Sequence, residues 1–108
     1  MKKILQINFK LNTTGFSKAQ MDQVLQSFKE SAKAIANVKG LIWKVWIMNE
    51  SEHSAGGIYL FKDDASVQGY LKGEIVAGAK KNPAVSNFEA KIFDILPEPT
   101  KITHGPVD

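Results

Sequence analysis

The stretch Leu41 to Phe61, LIWKVWIMNESEHSAGGIYLF, sets two apolar, aromatic-rich runs on either side of a short polar link. Trp, Tyr, Phe, Ile and Val suit the pleated, half-buried surface of a strand. The link from Asn49 to Gly56 is polar and ends in glycines, so the stretch predicts a β-hairpin with a longer loop. Both strands are apolar on both faces. Leu41, Trp43, Val45 and Ile47 alternate with Ile42, Trp46 and Met48, and Tyr59 and Phe61 alternate with Ile58 and Leu60.

Upstream of the hairpin, Gly40 closes a turn after a segment of helical periodicity. Ser17 and Gln20 have capping-box spacing, and Met21, Val24, Leu25, Phe28, Ala32 and Ile35 then recur on one face, which predicts a helix from about Lys18 to Asn37. Before it, Lys3 to Leu11 alternates, with Leu5, Ile7, Phe9 and Leu11 on one face of a half-buried strand. Downstream, Asp63 or Asp64 caps a second helix whose apolar positions are Val67, Tyr70, Leu71, Ile75 and Ala79, and Pro83 stops it. Gly69, Gly73 and Gly78 together cost such a helix about 3 kcal/mol relative to alanine. The helix is therefore expected to break near Gly73 or to be held by close packing. A last strand runs from about Ser86 to Leu96. Pro97, Pro99 and Pro106 then argue against helix or central strand and predict an extended tail over 97–108.

The order βαββαβ defines a single ferredoxin-like α+β domain over 1–96, a four-stranded antiparallel sheet with both helices on one face. Two helices leave the second face uncovered. If Trp46, Tyr59, Phe61 and Phe93 shared it, at about 150–250 Å² each they would exceed the few hundred Å² of contiguous apolar surface a monomer tolerates. A second copy of the chain is the economical cover, with the tail packing across the pair. The two tryptophans are three residues apart and so point to opposite faces of a regular strand.

Composition removes several function classes. The chain has 108 residues and no cysteine, so it has neither a disulfide framework nor a thiolate metal site nor a cysteine nucleophile, which fits a cytoplasmic protein. No run approaches the roughly 20 apolar residues of a membrane span. The net charge is +3, yet all 14 basic residues are scattered lysines. Without the planar fork of arginine, nucleic-acid recognition is not expected. His53 has only Glu50 and Glu52 beside it, too close in sequence for a metal site, and no GxSxG or HExxH pattern is present.

The segments Leu41-Ile42-Trp43-Lys44-Val45-Trp46, Glu50-Ser51-Glu52-His53, Ala55-Gly56-Gly57-Ile58-Tyr59-Leu60-Phe61 and Ala90-Lys91-Ile92-Phe93-Asp94 resemble the YdhR-like monooxygenase family. The resemblance runs over most of the chain. It implies a dimeric α+β barrel, within the superfamily of the cofactor-independent monooxygenases of antibiotic biosynthesis. Such an enzyme needs no cofactor, because a small aromatic or polyketide-like substrate loses a proton and the resulting carbanion itself reduces dioxygen. The protein must supply an apolar pocket, a proton acceptor and an oxyanion partner. Trp43, Trp46 and Phe61 are the candidate substrate-binding walls, His53 the candidate proton acceptor, and Lys44 or Tyr59 the oxyanion partners. Related antibiotic-pathway enzymes use an Asn, Trp, Tyr and Arg set, and this chain has no arginine. The competing reading is a non-catalytic dimeric barrel that binds a small hydrophobic ligand. In it His53 only braces its loop, the tryptophans pack, and Lys44 snorkels or pairs with an acid across the dimer.

Overall fold

The computed structural model describes all 108 residues. It contains β1 (Lys3–Leu11), α1 (Lys18–Ile35), β2 (Leu41–Asn49), β3 (Ser54–Phe61), α2 (Asp64–Leu71), α3 (Glu74–Lys81), β4 (Val85–Asp94) and α4 (Pro97–Ile102). The four strands form one antiparallel sheet in the order β2-β3-β1-β4, the ferredoxin-like arrangement. The first strand begins and ends at the residues its alternation marks.

Local chemistry accounts for most boundaries. Ser17 Oγ accepts from the Gln20 N–H at 3.2 Å, and Gln20 Oε1 accepts from the Ser17 N–H at 2.8 Å, so the capping box starts α1. Gly40, at φ 85°, turns the chain out of α1, and its carbonyl accepts from the Lys62 N–H at 2.9 Å. The second helical segment is broken into α2 and α3, with Gly73 as the N-cap of α3. The three glycines do not share one explanation: Gly69 and Gly78 face open space, while Gly73 sits against the Gly69 and Tyr70 carbonyls at the end of α2.

The core lies between the sheet and the helices. Leu5, Ile7, Tyr59 and Phe61 from the sheet meet Ile35 from α1, Val67 and Tyr70 from α2, and Val76 from α3. Ile35 is the one buried residue of α1, and nearer its start the helix meets the sheet through Phe28, which packs on Trp46 with ring centroids 5.5 Å apart.

Two expectations change, the loop length and the tail, and the facing that the sequence leaves open is decided. Trp46, Tyr59 and Phe61 lie on the helix-covered face, because Lys44 and Trp46 pair with Tyr59 and Gly57, and Tyr59 pairs with the core residue Leu5. The uncovered face carries Trp43, Val45, Ile58, Leu60, Ile4 and Phe93 instead. The hairpin loop is shorter than expected, since β3 already begins at Ser54 and Gly56–Gly57 lie inside it. The sheet's irregularities fall elsewhere, between Leu41 and Trp43 on β2 and opposite Phe9 on β4, where Asn87 adopts φ 52°. The tail is not simply extended. Pro97 and Pro99 stand in the first turn of α4, where backbone N–H groups lack intrahelical partners, so the prolines open this helix rather than preclude it. After α4 the chain returns over its own sheet: Trp43 Nε1 donates to the Pro106 carbonyl at 2.8 Å, and Lys2 Nζ to the Val107 carbonyl at 3.0 Å.

Candidate functional site

Gly57 makes the site possible. On the helix-covered face a Cβ at this position would overlap Lys44 Cε, so its absence lets the lysine stem cross the strand from β2. Lys44 Nζ thereby lies 3.3 Å from the centroid of Trp46 and 4.5 Å from that of Tyr59. No carboxylate lies within 4.0 Å of it: the ion pairs of the chain are Lys3–Asp94, Lys33–Glu30 and Lys101–Asp108. Burial pushes its pKa down from 10.5 to about 7. The Trp46 face prefers the cation and opposes that shift, by about 0.5–2 kcal/mol for such contacts.

Tyr59 continues the site inward. Its ring stands 6.0 Å from Phe61 and 5.2 Å from Tyr70, and the two tyrosine hydroxyls are 3.0 Å apart. Burial raises the pKa of both, reinforced at Tyr59 by the neighbouring hydroxyl, so both stay neutral through the working pH range. A pair of hydroxyls has two protons and shares one hydrogen bond, so one O–H remains free to donate to an anion.

Tyr70 also lines a cavity of about 440 Å³ between the end of α1 and the α2–α3 pair, whose walls include Val38, Gly69 and Ile75 and whose rim carries Lys39 and Lys62. That volume is in the range of small-molecule sites. The open space beside Gly69 belongs to it.

The remaining candidates stand elsewhere. Phe61 is fully buried behind Tyr59 and can only support the wall. Trp43 is on the opposite face under the tail. His53 is the last residue of the hairpin turn, at φ 54°, with Nδ1 2.9 Å from Thr13 Oγ1 and its carbonyl accepting from the Leu11 N–H at 2.7 Å. From Ser54, beside it, to Tyr59 the strand advances five residues, about 17 Å. The structure thus brings Lys44, Trp46 and Tyr59 together and leaves His53 and Trp43 apart. By sequence pattern Tyr70 and Phe28 are apolar helix positions and nothing more. The available signal was the hydroxyl of Tyr70, which needs a partner once it is buried. No three His, Cys, Asp or Glu side chains are grouped to hold a metal ion.

A four-stranded antiparallel sheet with helices on one face is an α+β ferredoxin-like fold, and solved structures share it. A Deinococcus radiodurans structure described as a "putative antibiotic biosynthesis monooxygenase" superposes with a TM-score of 0.63 at 10% identity, over 87% of this chain and 92% of that one. The cofactor-independent oxygenase SnoaB of Streptomyces nogalater, in a substituted form, gives 0.60 at 19% identity, over 90% and 98%. The heme-degrader MhuD of Mycobacterium tuberculosis, with two hemes in its active site, gives 0.60 at 15%, over 86% and 95%. No curated protein matches the sequence. The family model described as "Putative mono-oxygenase ydhR" matches residues 4–106, and the chain belongs to that family.

Proposed function

We propose that this protein is a cofactor-independent monooxygenase that oxidises a small aromatic or polyketide-like compound at an acidic CH₂ or phenol, with Lys44 as proton acceptor. The observation that carries this reading is a lysine without an acidic partner, brought by burial to a pKa of about 7 over Trp46 and Tyr59. A base poised near the working pH is the most effective kind. With an anthrone-type substrate, neutral Lys44 takes a proton from the CH₂ group. The free O–H of the Tyr59–Tyr70 pair donates to the enolate oxygen. The carbanion passes an electron to dioxygen, and the radical pair joins as a C–O bond. Loss of water from the peroxide then leaves a ketone. One dioxygen is consumed, one of its atoms enters the product and the other leaves as water, so no external reductant is needed.

Haem is the other occupant that the fold neighbours suggest. The two histidines, His53 and His104, lie in the hairpin turn and the tail, so the site offers no imidazole to an iron. The uncovered apolar face supports a homodimer formed sheet to sheet: Val45 and Phe93 remain 52% and 45% exposed on it.

Oxygen uptake by metal-free, flavin-free protein offered anthrone-type phenols tests the reading, with heat-denatured protein as control. Quinone formation that requires folded protein and drops at least 100-fold in Lys44→Met is the expected result. Ligand binding without uptake across such a panel would favour the non-catalytic barrel.

A further inference from the structure

We propose that Lys44 is also a covalent capture site for aromatic aldehydes, forming an imine through Nζ. Four features of the site converge on this. The amine stands in an aromatic seat between Trp46 and Tyr59, and Phe28 packs on Trp46. It has no carboxylate to hold it as an ammonium. Gly57 leaves the space that its stem occupies. The residue is half-buried, so its side chain is only partly withdrawn from solvent.

Nucleophilic lysines are made by this combination, desolvation in an apolar pocket with the lone pair exposed. The lowered pKa supports it: at pH 6.5 a group of pKa about 7 is neutral about one time in four, against about one in ten thousand for an ordinary lysine. The step balances without a redox partner. The Nζ lone pair forms a bond to the carbonyl carbon, the C=O pair moves to oxygen, and water leaves from the carbinolamine as C=N forms. An aromatic imine is uncharged near neutral pH, so capture also relieves the cost of burying an ammonium. Flat aryl groups are the favoured class because the indole of half-buried Trp46 lies directly beside the amine. The proposal needs neither dioxygen nor turnover, and stands apart from the oxygenase reading.

Reductive trapping decides it. The wild-type protein is incubated at pH 6.5 with limiting benzaldehyde and cyanoborohydride, which reduces the imine to a stable benzylamine, and the adduct is mapped by peptide mass. Lys44 is expected to be labelled at least 10-fold faster than any of the other 13 lysines, with the Met1 α-amine as the only rival, and Lys44→Arg is expected to leave label at Met1 alone. Uniform labelling of the lysines, or Lys44 lagging behind them, would overturn the proposal.

Discussion

At Lys44 two physical effects pull in opposite directions: burial favours the neutral amine, and the Trp46 ring face favours the cation. Burial dominates, and pH dependence follows. If the neutral amine is the base, turnover rises with pH through about 7 and levels above it, a profile that steady-state rates between pH 5 and 9 would reveal. A flat profile would remove Lys44 from that role. The same shift has a signed effect on stability. Between pH 7 and 10.5 the unfolded chain holds a proton on Lys44 that the native state has released, so unfolding free energy rises with pH across that window and is flat below it. Lys44→Met is therefore expected to abolish that slope. The side chain keeps partial solvation, so the gain at pH 6 is roughly 2 kcal/mol rather than the whole shift. Urea titrations at pH 6 and 9 check both points. His53→Ala, by contrast, is expected to leave oxygen uptake within twofold, because its imidazole braces Thr13 at the hairpin turn.

The hairpin shows how neighbouring glycines differ. A Cβ at Gly56 would overlap the Ile7 carbonyl oxygen, a backbone atom of the central strand that cannot yield. Gly56→Ala is expected to cost about 3 kcal/mol or more in thermal unfolding. At Gly57 the severe overlap is with the flexible end of Lys44, and the Tyr59 ring at 3.1 Å need give only a few tenths of an ångström, so Gly57→Ala is expected to fold and to displace the amine from its seat. The midpoint of the pH–rate profile should then move upward, toward that of an ordinary lysine, and an unmoved midpoint would show that Gly57 does not hold the site open. In α1, Ser17→Ala removes one half of the capping box and is expected to cost about 1 kcal/mol. The strands and this helix were legible because alternation, periodicity and capping spacing are local signals. The shorter hairpin loop was not: Ser54 to Gly57 has a loop's composition, and only pairing with β1 and β2 makes it strand.

For the molecule as a whole, 12 of 108 residues are buried, and the second sheet face carries Val45, Ile58 and Phe93 with its own tail over one end. Leu60 is fully buried there, beside Trp43. Sedimentation equilibrium is expected to show a dimer at micromolar concentration, and Phe93→Asp to give a folded monomer, since a carboxylate in a sheet-to-sheet interface would be buried unpaired. A wild-type monomer would leave the open face to another partner. Deleting Thr103–Asp108 removes the acceptor of the Trp43 indole and is expected to lower stability by about 1–2 kcal/mol, with a red shift of tryptophan emission.

The order of elements, the α+β class and the opposite facing of Trp43 and Trp46 follow from the sequence by itself, since each rests on periodicities of two or 3.6 residues within one segment. The membership of Lys44, Trp46, Tyr59 and Tyr70 in one cluster, and the placing of His53 at a turn about 17 Å along the strand, depend on the register of β2 on β3 and on where α2 lies across the sheet. Register is a long-range quantity. A one-residue slip in β2 would exchange Lys44 for Trp43 or Val45 on the helix face, and no local pattern distinguishes those choices in a strand that is apolar on both sides.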